Sequence, residues 1–320
     1  LQPYYGTSTD SDDNDRTGFG LKADWPLTRR SRWGVHYENI EVENPSASAA
    51  ADELALSVNW WPRHTFRLDA LAGVSRLDGE VPDQNSTDHS LLRLNARWRS
   101  PSDGFQAALK VTRYPLTSTP GLVAEPVEFE EYKATFEFPI SGPYRFRVQG
   151  KEAELESNID LNERSGYQLG LVYRWRPAVE FNTTFSQLRF DAPTLAGYFA
   201  PRRVETIEIG TYFEYWGLWP FSLAVDAGLG LQRVARHGEP FSDASGTFRL
   251  WTILSWALKP GVNLNLEIEH EDSEISATAL SPTANWEYTS VVLSLRFGVR
   301  PRSARSFMAN RADTAATLGR

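Results

Sequence analysis

The sequence predicts an all-β fold, a closed antiparallel transmembrane β-barrel of about sixteen strands. Three observations lead to it: strand-length segments of alternating apolar and polar residues, connections that are alternately tight and long, and aromatic residues flanking the tight ones. Trp25 and Trp33 bracket one such turn, and Phe138 and Tyr144 bracket another. Because Trp and Tyr concentrate where a membrane meets water, these residues mark one rim of the barrel.

The bulk composition gives no sign of membrane-spanning helices, but it is compatible with membrane-spanning strands. The 320 residues carry a net charge of −8 and a mean hydropathy of −0.42. No segment approaches the roughly 18 consecutive apolar residues of a spanning helix. A barrel strand needs an apolar residue only at every second position. The acidic balance gives no reason to expect nucleic acid as a partner, and the absence of cysteine is compatible with an oxidising envelope.

Alternation is clearest where Val262, Leu264 and Leu266 are interleaved with Asn263 and Asn265. The strands are predicted at residues 2–9, 16–25, 32–42, 50–61, 65–77, 88–100, 104–114, 127–138, 144–156, 164–176, 178–190, 203–216, 220–235, 245–258, 261–273 and 284–298. Residues 1–298 therefore form the predicted barrel, and residues 299–320 a tail expected in the periplasm.

The connections predict the orientation. Seven are expected to be tight and eight to be longer and polar, and an even strand number places both chain ends on one side. Bacterial outer-membrane barrels have short periplasmic turns and longer extracellular loops. The aromatic-flanked turns are therefore expected in the periplasm, the protein in the bacterial outer membrane, and outer-membrane lipid as its first partner.

Positions that alternate with the apolar ones are predicted to line the lumen. Basic residues concentrate in the segment 88–176, and acidic residues in the segment 203–273. Such a lumen either simply hydrates a pore or suits a polar, mostly neutral polymer, since a polyanion exporter would carry a more one-sided basic lining. Trp61, Trp216 and Trp251 are candidates for stacking on sugars. The predicted lining residues are Lys22, Glu38, Arg67, Asp69, Arg93, Arg97, Lys110, Lys133, Arg145, Arg147, Lys151, Arg174, Glu180, Glu208, Glu214, Asp226, Arg249, Asn263, Asn265, Glu267, Glu269 and Arg296.

Candidate catalytic and metal-binding patterns are weak. Glu267 and Glu269 are roughly 7 Å apart along a strand face, the spacing of an inverting glycosidase pair, but any polar face gives that spacing. The loop that begins at Asp10 resembles a calcium loop, yet Asp15 and Leu21 stand where Gly and Glu are required. No catalytic residue, metal site or cofactor is expected, and the protein is not predicted to be an enzyme.

Two short motifs resemble a known family. Asp10-Ser11-Asp12 follows an opening Pro-Tyr strand, and Gly197-Tyr198-Phe199-Ala200-Pro201 precedes a later strand. Both are similar to elements of synthase-dependent exopolysaccharide exporters, which include the outer-membrane component of cellulose synthase and the poly-N-acetylglucosamine porin. The resemblance implies a sixteen-strand barrel preceded by periplasmic tetratricopeptide repeats and partnered with an inner-membrane glycan synthase complex. The chain departs from this pattern because no helical repeat precedes Leu1 and a tail follows Phe297.

The predicted function is an outer-membrane pore that exports a neutral or weakly charged exopolysaccharide, cellulose-like or poly-N-acetylglucosamine-like. The alternative is a general diffusion porin for small hydrophilic solutes. Such a porin usually folds one long loop inward, and the loops at 78–87, 115–126 and 191–202 look too modest for that task. A lipid-modifying barrel enzyme is disfavoured by the strand number and by the missing Ser–His relay.

Overall fold

A computed structural model describes residues 1–79, 86–101, 104–176, 178–218, 220–273 and 286–298. The predicted tail, residues 299–320, lies outside this part of the chain. One short helix, α1, spans Pro120–Ala124. The strands are β1 (Gln2–Asp10), β2 (Asp15–Thr28), β3 (Ser31–Asn44), β4 (Ala47–Arg63), β5 (Phe66–Gly79), β6 (Thr87–Arg99), β7 (Gln106–Pro115), β8 (Glu128–Ser141), β9 (Tyr144–Glu156), β10 (Leu161–Arg176), β11 (Val179–Phe190), β12 (Arg203–Leu218), β13 (Phe221–Ala235), β14 (Ser245–Lys259), β15 (Val262–Ser273) and β16 (Trp286–Phe297).

The strands form a closed antiparallel barrel in which each pairs with its neighbours in sequence. Closure is made by β1 and β16, where Tyr5 lies opposite Leu293 and Ser8 opposite Ser290. Closure leaves no sheet edge with unpaired backbone groups, which would each cost several kcal/mol in lipid. The predicted fold class and strand number are confirmed.

Burial alternates along the strands, as the period of two in the sequence predicts. On β9, Ala153 and Leu155 are buried while Glu152 and Glu154 are exposed. Large apolar side chains form an exposed belt around the barrel, and Leu56, Ile207 and Leu229 are 61%, 55% and 66% exposed. A continuous apolar surface of this kind is not tolerated in water, so the belt faces lipid.

Aromatic rings line the rim at the short turns, as predicted. Trp25 and Trp33 stack with ring centroids 4.7 Å apart, and Phe105 lies 5.0 Å from Phe138. On the next strands Tyr144 and Tyr173 are also 5.0 Å apart. These cross-strand pairs stabilise the rim at the level where the belt ends.

The turns at this rim are tighter than the sequence predicted. Strand β2 continues through Pro26 to Thr28, and β4 continues through Pro62 to Arg63, so each hairpin closes on two residues. Strand pairing shifts register at these points, between Pro26 and Thr28 and between Trp60 and Arg63. Such bulges accommodate proline, which has no N–H to donate, and allow the strand to continue past it.

The opposite rim has the more varied connections, and one prediction about it was wrong. The β3–β4 connection was expected to be long, but β3 ends at Asn44 and β4 begins at Ala47. Asn44 caps this hairpin by accepting hydrogen bonds from the backbone of Ser46 at 3.0 Å and of Ala47 at 2.9 Å. Among the connections that the structure describes throughout, the longest are residues 116–127 and 191–202, which follow β7 and β11 and were predicted to be long.

Within the described residues, no helix has the length and apolar character to cross a membrane.

Candidate functional site

Every predicted lining residue lies at an inward position of its strand. Glu267 is inward, for example, between the outward Leu266 and Ile268. Several of these inward side chains are buried against one another, and Glu38, Glu214 and Asp226 are at most 4% exposed. The passage of a solute along this face stays a prediction.

The inward side chains of β6–β10 form a basic wall whose few carboxylates are shared between strands. Glu137 accepts Arg147 Nη2 at 2.7 Å and Arg145 Nη1 at 3.3 Å. Above it, Glu131 accepts Arg164 Nη2 at 2.9 Å, and the Arg164 guanidinium lies 4.6 Å from the ring centroid of Phe129. Each carboxylate therefore ties β8 to β9 or β10 by charge-assisted hydrogen bonds.

Three lysines on this wall are in register across adjacent strands. Lys110 lies opposite Lys133, and Lys133 lies opposite Lys151. Like charges directly opposite each other destabilise a sheet. The row thus concentrates basic side chains in the middle of the wall.

The inward side chains of β11–β16 form the opposing acidic wall. Arg249 bridges two carboxylates there, with Nη2 2.9 Å from Glu208 Oε1 and Nη1 2.8 Å from Asp226 Oδ1. Glu180 pairs with Arg174 across β10 and β11, where the two walls meet. These three carboxylates are therefore neutralised locally, which weakens the field between the walls.

Polar side chains continue the inner face around to β1 and β5. Asn265 accepts a hydrogen bond from Ser255 Oγ at 2.7 Å, and Arg296 Nε donates to Gln2 Oε1 at 2.9 Å. On β5, Arg67 Nε lies 2.8 Å from Asp69 Oδ1. The ring of predicted lining residues is thus continuous across the β1–β16 closure.

The three tryptophans predicted to face inward differ in accessibility. Trp251 is 3% exposed and donates from Nε1 to Glu267 Oε1 at 2.6 Å, so no ring face is open to a sugar. The stacking prediction for Trp251 is therefore not supported, because its neighbours bury the ring. Trp61 lies 5.9 Å from the Arg32 guanidinium, and Trp216 Nε1 donates to Glu214 Oε2 at 3.2 Å. Both are half-buried near the rim with the short turns, which bacterial outer-membrane barrels have on the periplasmic side.

Toward the extracellular end, the inner face changes from charged to apolar. We call this band the collar, and the charged band below it the waist. The collar side chains are all buried and inward-facing, and on most of the barrel they replace the charges found lower on the same strands. The collar comprises Ile40, Val42, Ala49, Ala51, Leu77, Phe129, Ala153, Leu155, Leu188, Phe190, Val204 and Val234.

The collar is covered by the connection 116–127, which folds into the barrel mouth. Its helix α1 begins after Thr119, whose Oγ1 accepts from Leu122 N at 3.2 Å. Leu122 packs with the collar on β8–β13, and its neighbour Val123 packs with the collar on β3–β5. The helix backbone approaches β5 so closely that a Cβ on Gly79 would lie 2.9 Å from Ala124 Cα.

The connection 191–202 completes this cover, and together the two connections form what we call the lid. Tyr198 and Ala200 are buried in the cluster that contains Leu122. Burial raises the pKa of the Tyr198 phenol above its ordinary value. Gly197 adopts a φ of +79° and faces Leu122, a conformation that favours glycine. The Gly-Tyr-Phe-Ala-Pro motif is thus part of the lid.

Sequence reasoning missed the lid and judged these loops too modest to fold inward. One local signal was present, because Thr119 followed by Pro120 is the N-cap and first-turn proline of a helix. The apolar run from Leu122 was the second signal. The place where the helix packs depends on side chains of β3–β5, which are distant from it in sequence.

No protein-family model matches the sequence, and none of the curated proteins matches it. Solved structures share the fold. A bacterial polysaccharide outer membrane secretin has a TM-score of 0.63 at 13% identity, covering 93% of this chain and 98% of that chain. The FrpB iron transporter from Neisseria meningitidis has a TM-score of 0.50 at 9% identity, covering 88% of this chain and 55% of that chain.

A closed sixteen-strand barrel with an exposed apolar belt and an aromatic rim requires a lipid bilayer around it. Antiparallel barrels of this size belong to the outer membranes of bacteria, and the similar solved structures are outer-membrane barrels. The chain is a β-barrel of the bacterial outer membrane.

Proposed function

We propose that the barrel is a gated export pore for a neutral or weakly charged exopolysaccharide, cellulose-like or poly-N-acetylglucosamine-like. The observation that carries the proposal is the lid, which covers a charged inner face with apolar contacts at the extracellular mouth. A passive diffusion porin works through a permanently open mouth. A secreted polymer arrives from the periplasmic side, displaces the lid while it passes and lets it close afterwards.

The waist supports a neutral or weakly charged cargo. Its two walls have opposite charge, and many carboxylates are already bound by arginines on neighbouring strands, as Glu137 and Asp226 are. A hydrated neutral chain slides past such walls by exchanging water-mediated contacts. A polyanion exporter needs a one-sided basic lining, which two walls of opposite charge do not provide.

The likeness to a polysaccharide secretin agrees with this proposal but, at 13% identity, concerns the fold alone. The inner-membrane glycan synthase and the periplasmic repeat domain that connects to it belong to the same proposal. Trp61 and Trp216 are its proposed sugar contacts at the periplasmic mouth, because both are half-buried and inward-facing. The runner-up remains a general diffusion porin, which the inward-folded connection 116–127 also resembles.

Single-channel recordings test the proposal. Soluble cello-oligosaccharides and chito-oligosaccharides are added on the periplasmic side of a barrel whose lid has been loosened by Leu122→Asp with Val123→Asp. We expect transient current blocks by both neutral sugars and weaker blocks in Trp61→Ala and Trp216→Ala. A channel that ignores these sugars but is blocked by uronate oligomers contradicts the neutral cargo. A wild-type barrel that conducts steadily at rest favours the diffusion porin.

A further inference from the structure

A groove of about 740 Å³ crosses the lipid-facing side of the barrel. Two rows of outward residues on β7–β12 border it, and strand register brings them together. In the lower row Ala134 lies opposite Gly150, and Gly150 lies opposite Tyr167. In the upper row Glu152 lies opposite Ser165, and Ser165 lies opposite Arg189.

Small residues make the groove. Ala134, Gly150 and Ser165 stand at outward positions in a region where neighbouring strands present large side chains, and a Cβ on Gly150 would meet no atom within 4 Å. Leu109 and Tyr132 form the walls and are 58% and 52% exposed. The floor is therefore open to lipid and wide enough for a hydrocarbon chain.

The groove leads out of the apolar belt toward the extracellular ends of the strands. Its last members are Arg189, next to the end of β11, and Arg203, the first residue of β12, which lie opposite each other. Barrel strands are tilted to the membrane normal, so residues that are paired across successive strands lie at a different membrane depth on each strand. One end of the groove is thus at acyl-chain depth and the other at headgroup depth of the outer leaflet.

An arginine cluster is held in place at the headgroup end. Glu205 accepts Arg233 Nε at 2.8 Å and also pairs with Arg203. The Phe241 ring lies 4.4 Å from the Arg233 guanidinium and 5.4 Å from that of Arg203. With Arg189 beside them, three guanidinium groups lie around the Glu205 carboxylate, so guanidinium donors outnumber the carboxylate that pairs with them.

The neighbouring outward surface has the opposite charge. On β8, β9 and β10, Glu130 lies opposite Glu154, and Glu154 lies opposite Glu163. An anionic headgroup is therefore repelled from β8–β10 and attracted to the arginine cluster. Glu152 belongs to the groove but is two strands from Arg189, roughly 10 Å from it.

We propose that this groove binds a lipopolysaccharide molecule of the outer leaflet. One acyl chain lies over Ala134, Gly150 and Ser165, and a lipid A phosphate is bound by Arg189 and Arg203. Guanidinium groups suit this task because their planar donors bind two phosphate oxygens at once. The proposal is independent of what passes through the lumen.

Native mass spectrometry of the full chain with rough lipopolysaccharide tests this inference. Gly150→Leu places a branched side chain on the floor of the groove, where a Cβ meets no atom within 4 Å, and Arg189→Ala removes an exposed guanidinium at the headgroup end. We expect each variant to lower the fraction of barrels carrying one lipopolysaccharide by about tenfold. Ala72→Leu and Arg76→Ala are matched controls at outward positions of β5, and both should retain wild-type occupancy.

Heat-modifiable gel migration first establishes that each variant is folded. Native mass spectrometry then measures how much lipopolysaccharide it binds. Wild-type occupancy in both groove variants overturns the proposal, and so does an equal loss in the two controls. Competition with phosphatidylglycerol separates the two possible sources of the phosphate. A groove that takes phosphatidylglycerol as readily as lipopolysaccharide also overturns it.

Discussion

The collar and the waist are built on the same strands and the same inward face, yet their chemistry is opposite. On β9, Arg145, Arg147, Gln149 and Lys151 face inward in the waist, and Ala153 and Leu155 face inward in the collar. The difference is what each band contacts. Protein from the lid covers the collar, whereas most inward side chains of the waist are polar or charged and lie against one another. An inward position in a barrel is thus polar or apolar according to what fills the lumen at that height.

The largest difference in the free energy of unfolding is expected when the same charged group is placed in the collar and in the waist of β9. Leu155→Glu puts a carboxylate at a site that is 0% exposed and apolar, and it should lower the free energy of unfolding by about 4 kcal/mol or more. Gln149→Glu adds the same group beside Arg147 and Lys151 and should cost about 1 kcal/mol or less. Urea unfolding in detergent measures both. Equal losses would show that collar and waist are not different environments.

The second test separates the lid from the collar it covers. Leu122→Asp with Val123→Asp should release the lid, because burying two unpaired carboxylates costs more than the apolar contacts stabilise. Single-channel conductance should then rise several-fold while the barrel stays folded. Leu195→Asp is the matched control, since Leu195 lies in the lid but is 92% exposed. Unchanged conductance in the double variant would mean that the lid does not limit flow.

The smallest effect concerns the cap of α1. Thr119→Ala removes the acceptor for Leu122 N and should destabilise the docked helix by about 1 kcal/mol. That loss corresponds to about a fivefold higher ratio of open to closed lid, which open-probability measurements detect. Thr119→Ser keeps the hydroxyl and should behave as wild type. If serine and alanine act alike, the hydroxyl does not hold the helix.

Several features follow directly from local patterns in the chain. The period of two predicts the sixteen strands and assigns each predicted lining residue, from Lys22 to Arg296, to the inward face of its strand. Trp25 and Trp33 mark the periplasmic rim by their positions beside a short turn. The extent of the turns was predicted less accurately, since Pro26 and Pro62 lie inside strands at bulges rather than in the turns.

The sequence by itself determined the fold, the lipid-facing belt and the rim, because these depend on local alternation and on residues next to each turn. Only the tertiary structure decided the lid, the ion pairs and the burial of Trp251. Leu122 and Val123 belong to clusters that include side chains from β3 to β13, and the waist carboxylates pair with arginines one or two strands away. Such contacts depend on barrel closure and strand register, which bring together residues that a one-dimensional pattern does not relate.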